Sequence, residues 1–345
     1  MLLRSGAGLL AALVLFGWLN CPAGAQHGQD PVPSASSAPP SGANPTAQAV
    51  TEEQLLQEMQ KLEGRVSIPD YKAALLEQPQ GRGYQFFHEG LLPWLMGVLI
   101  VAMVAGLALF FLLRGRIVTD APQTGIKIRR FNVLERATHW MTATCFIVLA
   151  LTGLNYVFGK RLLFPLIGPD VFAAFAQWSK LAHTATAWPF MLGLLLMAAL
   201  WVRGNLPDRH DWRWLREFGG FTSGTHPPAG RFNAGQKLIF WSVVIFGLVL
   251  SATGIIMMFP FWTLDVNGMQ LAQYGHASAA SILITIIIAH IYIGTLGMAG
   301  AYDAMGNGEV DLTWAREHHS LWAEEQQPRV RGRDDVAGTA GAPAE

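Results

Sequence analysis

The sequence predicts an all-α integral membrane protein: a four-helix bundle with one extra transmembrane helix on its N-terminal side. Three observations carry this. Of 345 residues, 51% are hydrophobic and only 14% charged, a balance unlike that of ordinary soluble domains. Five uncharged apolar runs, near residues 91-113, 137-158, 181-202, 238-260 and 274-301, are each long enough to cross about 30 Å of hydrocarbon. Basic residues concentrate in alternate loops. The 24 basic and 24 acidic side chains cancel, so no overall field points to nucleic acid or a strongly acidic partner.

Residues 1-25, "MLLRSGAGLLAALVLFGWLNCPAGA", place Arg4 before a short apolar core that ends at Ala23-Gly24-Ala25. This reads as a secretory signal peptide cut after Ala25. An uncleaved anchor and a lipoprotein signal ending at Cys21 are the alternatives, and Asn20 is a poor residue to precede a lipid-modified cysteine. Cleavage leaves Cys145 alone, so no internal disulfide forms, and the mature chain has no C-x-x-C-H for covalent haem attachment.

Residues 26-90 form a periplasmic segment. Its first part is rich in Pro, Ser, Ala and Gly and cannot bury enough apolar surface to fold alone. In "TEEQLLQEMQKLEG", Leu55, Leu56, Met59 and Leu62 fall at helical spacing behind Thr51, which predicts a short amphipathic helix against a partner or against the protein itself. The extra transmembrane helix, 91-113, carries no charge and stops at Arg114 and Arg116.

A signal peptide sets the mature N-terminus outside the cytoplasmic membrane, and helix 91-113 brings the chain inside. The 114-136 loop then holds Arg114, Arg116, Lys127, Arg129, Arg130 and Arg136. The 203-237 loop holds Arg203, Arg209, Arg213, Arg216, Arg231 and Lys237. The opposite loops offer only Lys160, Arg161 and Lys180. This is the positive-inside bias of a multi-pass bacterial inner-membrane protein with a cytoplasmic C-terminus, including a disordered tail over 323-345.

Four of the ten histidines lie in the apolar runs: His139, His183, His276 and His290. His27, His88, His210, His226, His318 and His319 fall in tails and loops, where solvated surface histidine is the ordinary explanation. His139 starts an outward-running helix, near the cytoplasm; His183 and His276 open inward-running helices, near the periplasm. His290 follows His276 by 14 residues, almost four helical turns, so the two share one face about 21 Å apart. The four sort into two levels, His139 with His290 and His183 with His276.

A flat macrocycle held by two axial imidazoles from facing helices needs such a pair at each level, in a core that excludes water, so the pattern predicts two non-covalent haems. A lone intramembrane histidine is more simply an interhelical hydrogen-bonding group. A proton or transition-metal pathway would be expected to recruit intramembrane Asp or Glu, which these runs lack. A purely structural anchor leaves the histidine set unexplained. The glycines of these helices fit close helix packing.

The segments "RFNVLERATHWMTATCFIVLALTGLNYVFG", "SKLAHTATAWPFMLG", "PPAGRFNAGQKLIFWSVV" and "YGHASAASILITIIIAHIYIGTLGMAGAYDAMGNGEVDLTWAREHHSLW" resemble the cytochrome b (gamma) subunits of membrane-bound respiratory formate dehydrogenases. The resemblance spans about residues 127-322 and makes that stretch a four-helix dihaem cytochrome b domain. It implies two haem b groups, ligated by His139 with His290 and by His183 with His276, and a quinone at the cytoplasmic haem, contacted by Asn233 and Gly235. Asn233 could equally cap the helix that follows it.

The implied partners are an iron-sulfur beta subunit and a molybdenum- or tungsten-containing catalytic alpha subunit of formate dehydrogenase. No pterin site, iron-sulfur cysteine cluster or nucleotide-binding loop occurs here, so the chain alone is expected not to oxidise formate. Relatives on the same scaffold serve hydrogenases and thiosulfate or other molybdoenzyme reductases. Arg136 and Arg203 are positioned for haem propionates or as interface anchors.

Overall fold

The computed structural model describes residues 81–220, 224, 226–260, 262 and 264–326. The expected signal peptide, the amphipathic helix near Thr51 and most of the C-terminal tail lie outside these residues. The chain divides into two compact units between Arg82 and Gly83, and the second is described below.

Among the described residues, five helices are long and apolar enough to cross a membrane. A π-helical turn, Phe86–Leu91, leads into helix α1 (Leu92–Arg114), which has Pro93 in its first turn and is followed by Gly115 at φ 70°. Proline suits the first turn, where its missing N–H has no partner to lose, and glycine takes the positive φ without strain. Most of α1 is exposed. Its buried Leu92, Pro93 and Met96 lie near its start, and just before it Phe87 meets Tyr274 edge-on with ring centres 4.6 Å apart. So apolar an outer face is suited to lipid rather than water.

The other four spans are α2 (Val133–Leu162), α3 (Pro169–Trp201), α5 (Ala234–Met258) and α6 (Val266–Tyr292). They form two hairpins, α2 against α3 and α5 against α6, with α3 also touching α5. Small residues permit the close crossings. A side chain at Gly193 of α3 would strike Thr142 of α2, and one at Gly247 of α5 would come within 2.9 Å of Leu194.

The helices outrun the apolar windows. Helix α3 begins at Pro169, twelve residues before the expected 181, because Asp170 and Lys180 interrupt apolarity without interrupting a helix. Its 33 residues make about 50 Å at 1.5 Å per residue. The last span ends earlier than the expected 301: α6 passes into a π-helical turn at Ile293–Gly297, and Gly300 takes φ 76°. The apolar residues after Gly297 therefore leave the helix and join a folded cap.

This cap gathers segments expected as plain loops and tail. Strand β1 (Lys127–Arg129) pairs antiparallel with β2 (Glu309–Asp311), Ile128 opposite Val310. Helix α4 (Arg209–Arg216) lies between α3 and α5, and α7 (Leu312–His318) follows β2. Ile128, Phe131, Trp201, Phe232, Val310, Trp314 and Trp322 form a buried cluster with the ends of α3 and α5. Aromatic burial on this scale contributes strongly to packing. The cap thus fixes one end of the bundle.

Polar ties lock the helix starts to it. Asn132 and Glu135 form a reciprocal capping box on α2, satisfying two otherwise orphaned N–H groups. The remaining oxygen of buried Glu135 accepts from Trp201 Nε1 at 2.9 Å and from Arg231 Nη2 at 2.6 Å. Lys237 of α5 donates to Asp208, the N-cap of α4, at 2.6 Å.

Candidate functional site

The bundle brings the four intramembrane histidines together as two pairs. His139 of α2 and His290 of α6 have ring centres 6.2 Å apart with planes at 66°. His183 of α3 and His276 of α6 are 6.3 Å apart at 58°. Between Ala137 and Gly159 of α2, and throughout α6, no charged residue occurs, so no ion competes for these imidazoles inside the bundle.

The His183 and His276 rings sit on matching dipeptides of neighbouring helices. His183 Nδ1 is 2.7 Å from Thr152 Oγ1, and His276 Nδ1 is 2.9 Å from Thr253 Oγ1. Each threonine donates to its own helix, Thr152 to the Val148 carbonyl at 2.7 Å and Thr253 to the Val249 carbonyl at 2.6 Å. A hydroxyl has one proton. With that proton directed to the carbonyl, the hydroxyl accepts from the ring, so each Nδ1 carries hydrogen and each Nε2 presents a lone pair.

The next residue in each dipeptide is glycine. A β-carbon at Gly153 would lie 3.7 Å from His183 Cε1, and one at Gly254 3.6 Å from His276 Cε1. Both rings therefore pack directly on backbone. The other pair is supported differently: His139 Nδ1 is buried without a hydrogen-bond partner among the described residues, and the ring meets Trp140 edge-on at 5.2 Å.

The chemistry of a bis-imidazole metal centre fits these pairs. Two imidazoles facing one metal at nitrogen–metal distances of about 2 Å have ring centres roughly 6 Å apart, matching both separations. Haem with two histidine ligands needs two neutral rings on facing helices in an apolar surround. Both pairs meet that requirement, and at the Thr-anchored pair the free Nε2 is the ligating atom required.

Of the other expected residues, Asn233 caps α5 in a box with Gln236, accepting from Gln236 N at 3.0 Å. It also lines a small recess, of about 20 Å³, shared with Trp214, Met298, Glu317 and His318. At Gly235 the absent side chain makes room for the Trp214 ring, which would lie 2.7 Å from a β-carbon there. Arg136 donates to the Asn307 carbonyl at 2.8 Å. Arg203 opens a short 3₁₀ turn after α3.

Two histidines expected at the solvated surface are not there. His319 is fully buried in the cap: its Nδ1 donates to the Gly230 carbonyl at 2.9 Å, and its Nε2 faces Arg130 Nη2 at 3.0 Å. Burial and the neighbouring Arg130 charge hold its pKa well below the usual histidine range. His318 lines the recess, and burial lowers its pKa to about 4. Arg130 is itself stacked near Phe131, Trp314 and Trp322; burial, then the Arg231 charge, lowers its pKa to about 9. The "WAREHH" spacing places His318 at the end of α7 and His319 just after it, but the hydrogen bonds that hold His319 reach Gly230 and Arg130, 89 and 189 residues away.

An all-α multi-pass bundle with two imidazole pairs, one of them hydroxyl-anchored, fits the class of membrane cytochromes of the b type. Residues 130–308 match the family model of prokaryotic cytochrome b561, and the chain belongs to that family, which implies binding of haem b. It is 32% identical over 218 residues to the cytochrome b556 subunit of the nitrate-inducible formate dehydrogenase of Escherichia coli strain K12, covering 61% of this chain and 97% of that relative. A second subunit of this kind from the same organism is 30% identical over 202 residues, covering 57% and 92%. The formate dehydrogenase cytochrome b556 subunit of Haemophilus influenzae is 28% identical over 206 residues, covering 58% and 84%.

Proposed function

We propose that the chain is the membrane cytochrome b subunit of a formate dehydrogenase. In this reading it binds two haem b groups, which supply one-electron transfer from a periplasmic iron-sulfur subunit toward a membrane quinone with proton uptake from the cytoplasm. A separate molybdenum- or tungsten-containing subunit oxidises formate. The observation that carries the reading is the juxtaposition of His139 with His290 and of His183 with His276, on a chain whose similar relatives are named as formate dehydrogenase cytochrome subunits.

The protein's own groups have separable tasks. His139 and His290 hold one haem, His183 and His276 the other. Thr152 and Thr253 fix the tautomer of the second pair, and the uncharged helices keep water from both. The quinone headgroup is contacted by Asn233 and Gly235, and the cap with its cationic residues faces the cytoplasm. Residues 1-25 are a signal peptide, and residues 26-90 dock on the periplasmic partner subunit.

A dithionite-reduced minus oxidised spectrum of the purified chain, with a pyridine haemochrome count, tests the central statement: two haem b per chain are expected. No b-type bands would defeat it. In the intact complex, haem reduction by formate is expected, and reduction by hydrogen alone would instead assign the chain to a hydrogenase.

A further inference from the structure

We propose that Thr152 and Thr253 are positioning residues that set the order of the two haem potentials, making the His183/His276 centre the lower and the His139/His290 centre the higher. The inference rests on the ligand assignment proposed above. Its observation is an asymmetry between two otherwise similar imidazole pairs. Both rings of one pair give their Nδ1 proton to a threonine hydroxyl, at 2.7 and 2.9 Å. In the other pair, His139 Nδ1 is buried with no partner among the described residues.

Each threonine is one link of a chain from ring N–H to hydroxyl to helix carbonyl. Links in such a chain polarise one another. An acceptor on Nδ1–H draws that proton outward and raises the electron density at Nε2, making the imidazole a stronger donor. Stronger axial donation favours the oxidised iron, which lowers the reduction potential. The effect is doubled at the His183/His276 centre, where both ligands are so held. Among the described residues the buried His139 has no such acceptor, so its centre keeps the higher potential.

The consequence is directional. With haem bound, His183 and His276 would hold the lower-potential group and His139 and His290 the higher, and a one-electron exchange between them would leave the His183 and His276 Nδ1 protons in place. The gradient favours flow along α6 from the His276 level to the His290 level, toward the recess beside Asn233. Thr152-Gly153 and Thr253-Gly254 form a matched device, glycine admitting the ring to the backbone and threonine orienting it.

The test is a potentiometric titration of the purified full complex, read from b-type difference spectra, with haemochrome counts on each sample. Thr152→Val and Thr253→Val remove the hydroxyl and keep the shape. Each is expected to raise the potential of one haem and leave the other unmoved, and a tenfold change in the equilibrium between the haems reads as about 59 mV. Thr152→Ser should restore the lower value. Two haems with unmoved potentials in both valine variants would overturn the proposal. Should a valine variant lose its haem, retention in the serine variant supports the positioning role, and loss in serine as well overturns it.

The single haem left in a His183→Ala variant must be the higher-potential one; a lower-potential remainder also overturns the proposal. Failure of the underlying ligand assignment looks different: fewer than two haems in the unaltered protein, or two retained in His183→Ala.

Discussion

Arg130 Nη2 lies 3.0 Å from His319 Nε2, joining the residue just ahead of α2 to the far end of the chain inside a wholly buried contact. The guanidinium has no acceptor lone pair and stays charged at neutral pH. His319 must therefore supply the lone pair, and its other nitrogen donates to Gly230. The imidazole is neutral by construction, because a second positive charge here would face Arg130 directly.

Acid should accordingly open the cap. His318 and His319 are both held below the ordinary histidine pKa of 6.5, chiefly by burial, His318 at about 4. The folded cap therefore binds fewer protons than the unfolded one between about pH 6.5 and 4. The stability associated with neutral rings is complete above that range and lost as pH falls through it, His318 alone accounting for on the order of 3 kcal/mol. Hydrogen exchange over residues 309–326 should accelerate between pH 6.5 and 4, and a His318→Gln variant should show a shallower dependence. Equal exchange at pH 7 and pH 4.5 would contradict this.

Glu135→Ala should loosen the junction of α2, α3 and the cap. The substitution leaves the Trp201 indole N–H and the Arg231 guanidinium without their carboxylate and opens the α2 capping box. Leaving one buried donor unpaired costs about 1–3 kcal/mol. A fall in thermal midpoint in detergent is expected, with Glu135→Gln falling less because it retains an acceptor for Trp201. A Gln variant as unstable as the Ala variant would make the charge, rather than the acceptor, the controlling feature.

Much of this architecture was legible in the sequence, and its failures have physical causes. Apolar runs marked each of the five long helices among the described residues, because the stretch of a helix that faces hydrocarbon is uncharged. They misplaced the ends of α3 and α6, because Asp170 ends a hydropathy window but not a helix, and apolar Met298 enters the cap instead of extending the span. The adjacency of His183 and His276 follows from helix direction and the 14-residue interval. Their threonine partners were hidden, because a Thr-Gly step inside an apolar helix reads as packing until a neighbouring ring is placed on it. The cap was also hidden, since its strands have three residues each and its ties span most of the domain.

Glycine contacts offer a paired comparison. Gly193→Ala sets a methyl against Thr142 at the α2–α3 crossing, whereas Gly106→Ala on α1 meets nothing within 4 Å. Overpacking of a tight crossing costs typically about 1–3 kcal/mol. The Gly193 variant should melt earlier than the unaltered protein and the Gly106 variant should not. Equal melting of the two variants would mean that the crossing yields without cost.

The histidine pairs predict non-additive losses. If His183 and His276 hold one haem, removing either ligand leaves the other unable to hold it firmly in an apolar core, so each single alanine variant should retain about one haem of two. The double variant should then lose nothing further, because both substitutions empty the same site, whereas independent sites would add. His183→Ala combined with His290→Ala crosses the pairs and should leave none. Haemochrome counts on the two double variants separate these outcomes. One haem retained in the crossed variant would require a different pairing from the one in which His183 stands 6.3 Å from His276.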